Sequence, residues 1–260
     1  MPQVHAGKNM INYIVEGEGS PIVLLHGIGS SSKSFHRQLK AFSEKHKVIV
    51  WDAPGFGESA DPTIGANSKP SIKFYVECLR VVLDDLGLAW TSLLGHSLGG
   101  VIAQEFYREH PKRVRSLIIS DTTRGGGAEP VEVRKSRLDN RLRMIRTREP
   151  AELARERAPK LLSPGASKDL KEEAVAIMSE IRKPGYEFAA MAIAEADTRT
   201  ALDGITIPLL MIWGSLDDIT PPWRSYPEKA KVEIIPNAGH LCYAEQPERF
   251  NSIVLDFLNA

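Results

Sequence analysis

Gly95-His96-Ser97-Leu98-Gly99 holds a serine between two glycines, each two residues away. Ser92-Leu93-Leu94 before it reads as a strand, and Val101, Ile102, Phe106 and Tyr107 after it recur at helical spacing. A strand that turns straight into a helix leaves no room for side chains flanking the turn, which accounts for the glycines. Such a turn lifts the serine hydroxyl above the sheet and aims the positive end of the helix at a reacting oxygen. The plainer explanation is a capping serine at a glycine-bounded helix start, which leaves the rest of the pattern unexplained. A nucleotide-binding turn fails on spacing. Gly95, Gly99 and Gly100 do not make G-x-G-x-x-G, and Gly17-Glu18-Gly19 precedes its strand.

A serine hydroxyl is a weak nucleophile and needs a base. Of the seven histidines, His240 is best placed. It ends Asn237-Ala238-Gly239-His240, between the last predicted strand and the last predicted helix, at the Ser97 end of the sheet. His26 opens a tight turn, and His96 should point away from its neighbour Ser97. His36, His46 and His110 fall in helices or at their ends and read as solvated. The imidazole in turn needs an acceptor to fix its tautomer. Asp217, in Trp213-Gly214-Ser215-Leu216-Asp217-Asp218, follows a strand and lies three residues after Gly214. Asp218 reads as a solvated loop acid, and Asp121, after an earlier strand, is the alternative position for the acid. The oxyanion formed on attack needs fixed donors. The Leu98 N–H at the helix start is one candidate. The Ile28 N–H, in the turn His26-Gly27-Ile28-Gly29, is the other.

These residues need a scaffold that brings them to one rim. Ile22–Leu25, Val48–Trp51, Ser92–Leu94, Leu117–Ile119, Leu209–Trp213 and Val232–Ile235 are short apolar runs bounded by Gly, Pro or Asp. They fit strands of a parallel sheet buried on both faces. Helical patterns lie between them, at Phe74–Leu86, Val101–Tyr107 and Phe250–Leu258, and the alternation predicts an α/β layer fold with right-handed crossovers. Val4-His5 and Ile11–Val15, around Gly7-Lys8-Asn9, read as a hairpin that adds antiparallel strands at one edge. The strand rhythm breaks between Asp121 and Pro208. That gap holds Gly125-Gly126-Gly127 and an arginine-rich helix with Leu138, Leu142 and Ile145 along one side and Arg134, Arg137, Arg141 and Arg148 elsewhere. Residues 122–160 carry nine Arg and two Lys against one Asp and five Glu. The segment 122–207 is expected to be a helical lid at the carboxyl end of the sheet, where open α/β sheets bind ligands. Residues 1–121 and 208–260 form the core.

Two hundred and sixty residues are enough to bury a large core without staples. Lysine plus arginine equals aspartate plus glutamate at 33 each, which argues against a nucleic-acid or polybasic membrane partner. Cys78 and Cys242 make neither a disulfide framework nor a metal motif, and Cys242 is expected in the pocket wall. The N-terminus lacks the pattern of a signal peptide, and no apolar run approaches a membrane span. The expectation is a soluble cytoplasmic protein of undetermined oligomeric state.

Taken together, the chain resembles the α/β-hydrolase fold superfamily. The resemblance rests on His26-Gly27, Asp52-x-Pro54-Gly55-x-Gly57-x-Ser59, Gly95–Gly100, Asp217 and Gly239-His240. It implies a mostly parallel sheet with helices on both faces and a lid inserted after the sixth strand. It also implies a structural role for Asp52. Thr220-Pro221-Pro222 and Gly239-His240-Leu241 through Phe250-Asn251 are most similar to 3-oxoadipate enol-lactonases and related carboxylesterases. The activity so implied is hydrolysis of a small carboxylic ester or lactone through an acyl-serine, with Ser97, His240 and Asp217 as triad, and no metal or organic cofactor. Cleavage of a carbon–carbon bond by the same triad is the enzymatic alternative. A ligand receptor with slow turnover is the alternative of a different class.

Overall fold

The short apolar runs form strands with both faces covered. The computed structural model describes residues 2–260. Its strands are β1 (Gln3–Ala6), β2 (Asn9–Glu16), β3 (Ser20–Leu25), β4 (His46–Trp51), β5 (Thr91–His96), β6 (Val114–Ser120), β7 (Leu209–Gly214) and β8 (Ala230–Ile235). Its helices are α1 (His36–Phe42), α2 (Ile72–Asp85), α3 (Leu98–Glu109), α4 (Val131–Thr147), α5 (Pro150–Arg157), α6 (Lys168–Ser179), α7 (Lys183–Glu195), α8 (Cys242–Glu245) and α9 (Pro247–Leu258). The strands make one sheet in the order β1-β2-β4-β3-β5-β6-β7-β8. β1 and β2 are antiparallel, β2 runs antiparallel to β4, and β4 through β8 are parallel neighbours.

Alternate residues of the parallel strands enter different layers. Val23, Leu25, Ile49, Trp51, Leu93 and Leu117 pack with Leu79 and Leu83 of α2 and Ile102 and Phe106 of α3. Ile22, Leu24, Val48, Val50, Leu94 and Ile118 pack with Phe42 of α1 and Phe250 and Val254 of α9. Each fully buried aliphatic side chain contributes about 1.5–3 kcal/mol. A slip of one residue in register would exchange the two layers, so the register is firmly held. Among the described residues, no helix is long and apolar enough to cross a membrane.

The N-terminal hairpin forms, but its turn is tighter than the sequence suggests. Asn9 already pairs with Ala6, so Gly7 and Lys8 alone make the turn, with Gly7 at φ 62°. The Asn9 side chain is turned to other use. Its Nδ2 donates to Ala6 O and Thr63 O, and its Oδ1 accepts from Thr63 N.

Between β6 and β7 the chain builds α4 to α7. They have an apolar core of their own that includes Ile145, Leu153, Leu162 and Met178. α7 joins this insertion to the sheet. Phe188 and Ala192 pack with α2 and α3, whereas Tyr186 and Ala190 pack within the insertion. The arginine-rich helix is α4, and it ends at Thr147, so Arg148 lies just beyond it. Because β3 to β8 run in one direction, their carboxyl ends share an edge. The loops bearing His26, Asp52, Ser97, Asp121, Asp217 and His240 all leave from it.

Candidate active site

β5 ends at His96 and α3 begins at Leu98, which leaves Ser97 alone in the turn at φ 52° and ψ −114°. A non-glycine residue held there costs about 1–3 kcal/mol and persists only where its surroundings fix it. Here they do. A Cβ on Gly95 would lie 2.3 Å from Gly99 O, and one on Gly99 would lie 2.0 Å from Leu25 O. Ser97 N donates to Ser120 O at 3.0 Å, and Ser97 O accepts from Thr122 Oγ1 at 2.7 Å.

Ser97 lines a cavity of about 90 Å³ together with Gly27, Ile28 and His240. The Ile28 and Leu98 N–H groups have no acceptor among the described residues. Leu98 is the first residue of α3, where N–H groups have no intrahelical partner.

His240 Nδ1 donates to Asp217 Oδ2 at 3.0 Å, and both residues are buried. That leaves Nε2 of His240 as its acceptor nitrogen. Asp217 is held from its own loop. Ile219 N and Thr220 N donate to Oδ1 at 2.9 and 3.1 Å, and Thr220 Oγ1 donates to Oδ2 at 2.8 Å. Burial works to raise the Asp217 pKa, but the hydrogen bond and charge of His240, with the Thr220 donors, outweigh it. Its carboxyl stays well below the usual carboxylate range. Asp218 is exposed.

Asp121 is not the partner of the imidazole, although ligating atoms of Asp121, Asp217 and His240 all lie within 4.8 Å of one another. Its carboxylate faces inward and accepts from Gly214 N at 2.9 Å, Ser120 Oγ at 2.5 Å and Cys242 Sγ at 3.0 Å. Burial pushes its pKa up to about 7. Cys242, which the sequence places in the pocket wall, is not among the residues that line the cavity. It lies behind the wall, where burial raises its thiol well above the ordinary value.

His96, expected to point away from Ser97, has its side chain against the His240 loop. Its ring lies against that of His240, with centroids 4.8 Å apart, and its Nε2–H donates to His240 O at 2.8 Å. The ring lies where a Gly27 side chain would stand, since a Cβ there would be 2.9 Å from His96 Nδ1. Burial lowers the His96 pKa to about 3, so the ring is neutral. His26 is likewise buried and shifted down by desolvation. Its Nδ1–H donates to Gly27 O and its Nε2 accepts from Ala53 N, which ties the Ile28 turn to the loop after β4. His46, expected to be solvated at a helix end, opens β4 and is buried. Asp52 accepts from Ser32 N, Asn12 Nδ2 and Glu58 N, and so organises the same rim.

Glu245 lies within the stretch that resembles the enol-lactonases, but the sequence assigns it no role. Its carboxylate accepts from Gly239 N at 2.7 Å and from Ser163 N at 3.0 Å. Leu241 N donates to Leu161 O at 3.2 Å beside it. The histidine loop and the insertion are thus stitched together.

Among solved structures, the chain is similar to a thermophilic esterase from Thermogutta terrifontis. The TM-score is 0.89 at 26% identity, over 100% of this chain and 98% of the other. It is 29% identical to a 2-hydroxy-6-oxononadienedioate/2-hydroxy-6-oxononatrienedioate hydrolase of Burkholderia vietnamiensis, over 95% of this chain and 90% of that protein. It is 26% identical to 3-oxoadipate enol-lactonase 2 of Acinetobacter baylyi, over 94% and 91% respectively. Residues 20–247 match the family model described as the alpha/beta hydrolase fold. With the parallel sheet, its antiparallel edge and the strained serine turn at the carboxyl rim, the match shows that the chain belongs to the α/β-hydrolase fold family and is a hydrolase.

Proposed function

We propose that the protein hydrolyses a carboxylic ester or lactone through an acyl-serine intermediate. The observation that carries this reading is the His240–Asp217 pair, 3.0 Å apart and buried, on a loop whose histidine shares a cavity with Ser97. In this reading Nε2 of His240 takes the Ser97 proton as Oγ attacks the carbonyl carbon. Asp217, kept ionised, holds the ring and stabilises the imidazolium. The tetrahedral oxyanion is received by the Leu98 and Ile28 N–H groups, which have no other acceptor to give up. The imidazolium then protonates the leaving alcohol or enolate oxygen. Water, deprotonated by the same nitrogen, releases the acid and restores the serine. Residues 122–207 act as the lid that shapes the acyl pocket.

A fluorophosphonate probe should label the wild-type protein and not Ser97→Ala, with p-nitrophenyl acetate turnover lost in parallel. A folded wild-type protein that takes no label would refute the reading. The second reading, carbon–carbon hydrolysis by the same residues, is favoured by the 29% identical relative named for that reaction. Loss of the visible absorbance of a meta-cleavage product on incubation would support it over ester hydrolysis.

A further inference from the structure

The insertion is rich in arginine, and most of these side chains are accounted for by neighbours. Arg134 pairs with Glu195, Arg137 with Glu129, Arg146 with Glu187 and Arg148 with Glu156. Arg143 donates to Asn140 Oδ1, and Arg124 lies over the Trp223 ring. Arg155 is exposed to water. Two remain. Arg141 of α4 and Arg157 of α5 are half-buried, and both line the cavity that contains Ser97 and His240. Neither has a carboxylate partner among the described residues, and Arg157 has only the Met144 sulfur within reach of a donor. The rest of that wall is largely apolar, with Leu153, Leu161, Ile177 and Ile181 among its residues. A guanidinium removed from bulk water without a counterion is a poor resting arrangement unless an anion arrives.

Resting on the ester-hydrolase reading, we propose that Arg141 and Arg157 are the specificity residues of this site and that its substrate is an ester or lactone bearing a carboxylate. The two guanidiniums come from different helices and face one cavity, so together they can grip a planar anion by charge-assisted hydrogen bonds. The apolar wall takes the carbon chain between the carboxylate and the scissile carbonyl. Arg141 is shared with an adjoining cleft of about 100 Å³ that is lined by Arg134 and Arg137.

The test compares monomethyl glutarate with dimethyl glutarate, which differ in one negative charge and little in length. The wild-type protein should prefer the monoacid in kcat/KM by about tenfold or more, the effect of a charge-assisted hydrogen bond. Arg141→Gln and Arg157→Gln should each narrow that preference, mainly through KM. Arg157→Lys, which keeps the charge and loses the fork, should restore part of it. Arg155→Gln, on the exposed face of α5, should leave the preference where it is. Glutarate alone should slow fluorophosphonate labelling of the wild type, and slow it less in Arg141→Gln. Equal use of the two esters, with no protection by glutarate, would overturn the proposal and leave ester hydrolysis intact. Failure of both esters together with absence of labelling would instead strike at the hydrolase mechanism itself.

Discussion

The Nε2–H of His96 reaches the carbonyl of His240 across 2.8 Å, so the residue before the serine fixes the backbone of the proposed base. His96→Phe keeps a ring of similar size and removes that donor. We expect kcat for an ester to fall about tenfold with little change in KM, as misplacement of a catalytic group does. Asp217→Asn should lower kcat by about 10³- to 10⁴-fold, because an amide stabilises neither the Nδ1–H tautomer nor the imidazolium. Ester kinetics and a circular dichroism check of folding would decide both. The placement of Ser97, His240 and Asp217 at the carboxyl rim was legible in the sequence because each follows a strand and stands beside glycine or in a short polar loop. His96 was not legible. Its direction depends on the space above Gly27, and no local pattern connects residue 27 with residue 96.

At the scale of elements, the contact between β3 and α3 is set by Gly99, whose missing side chain lets the helix start against the Leu25 carbonyl. Gly99→Ala would have to push helix and strand apart. We expect a loss of about 3 kcal/mol or more in urea unfolding, together with loss of fluorophosphonate labelling. Glu245 performs the corresponding service between the histidine loop and the insertion. Glu245→Ala leaves the Gly239 and Ser163 N–H groups without their charged acceptor, which should cost about 2 kcal/mol. Limited proteolysis should then cut sooner within 122–207. The type and order of these elements could be read from apolar runs and glycine stops. The placement of the insertion helices could not. In α4, Arg141 lies near the apolar residues Leu138, Leu142 and Ile145 in sequence, and only the neighbouring helices determine that it faces a cavity and not water.

For the molecule as a whole, the buried carboxyl of Asp121 ties pH to stability. Its proton is held up to about 7 in the folded protein, against 3.8 in an unperturbed aspartate. Between those values the unfolded chain binds fewer protons than the folded one, so this group makes stability fall as pH rises through the window and level off above it. In Asp121→Asn that contribution vanishes. The variant's Tm should decline less than the wild type's between pH 4 and pH 7, the window set by those two values. Parallel slopes would show that the proton is not held. Strand pairing across the sheet was legible in its antiparallel edge. The placement of β4 outside β3 was not, since crossover geometry and not local composition decides it. The seam made by Glu245 and by Leu241 with Leu161 has a mechanical consequence. Any swing of the roof that admitted or expelled a guest along that margin would tug the imidazole out of line. With His240 as the proposed base and residues 122–207 as the proposed lid, opening along this margin and loss of proton-transfer geometry are coupled.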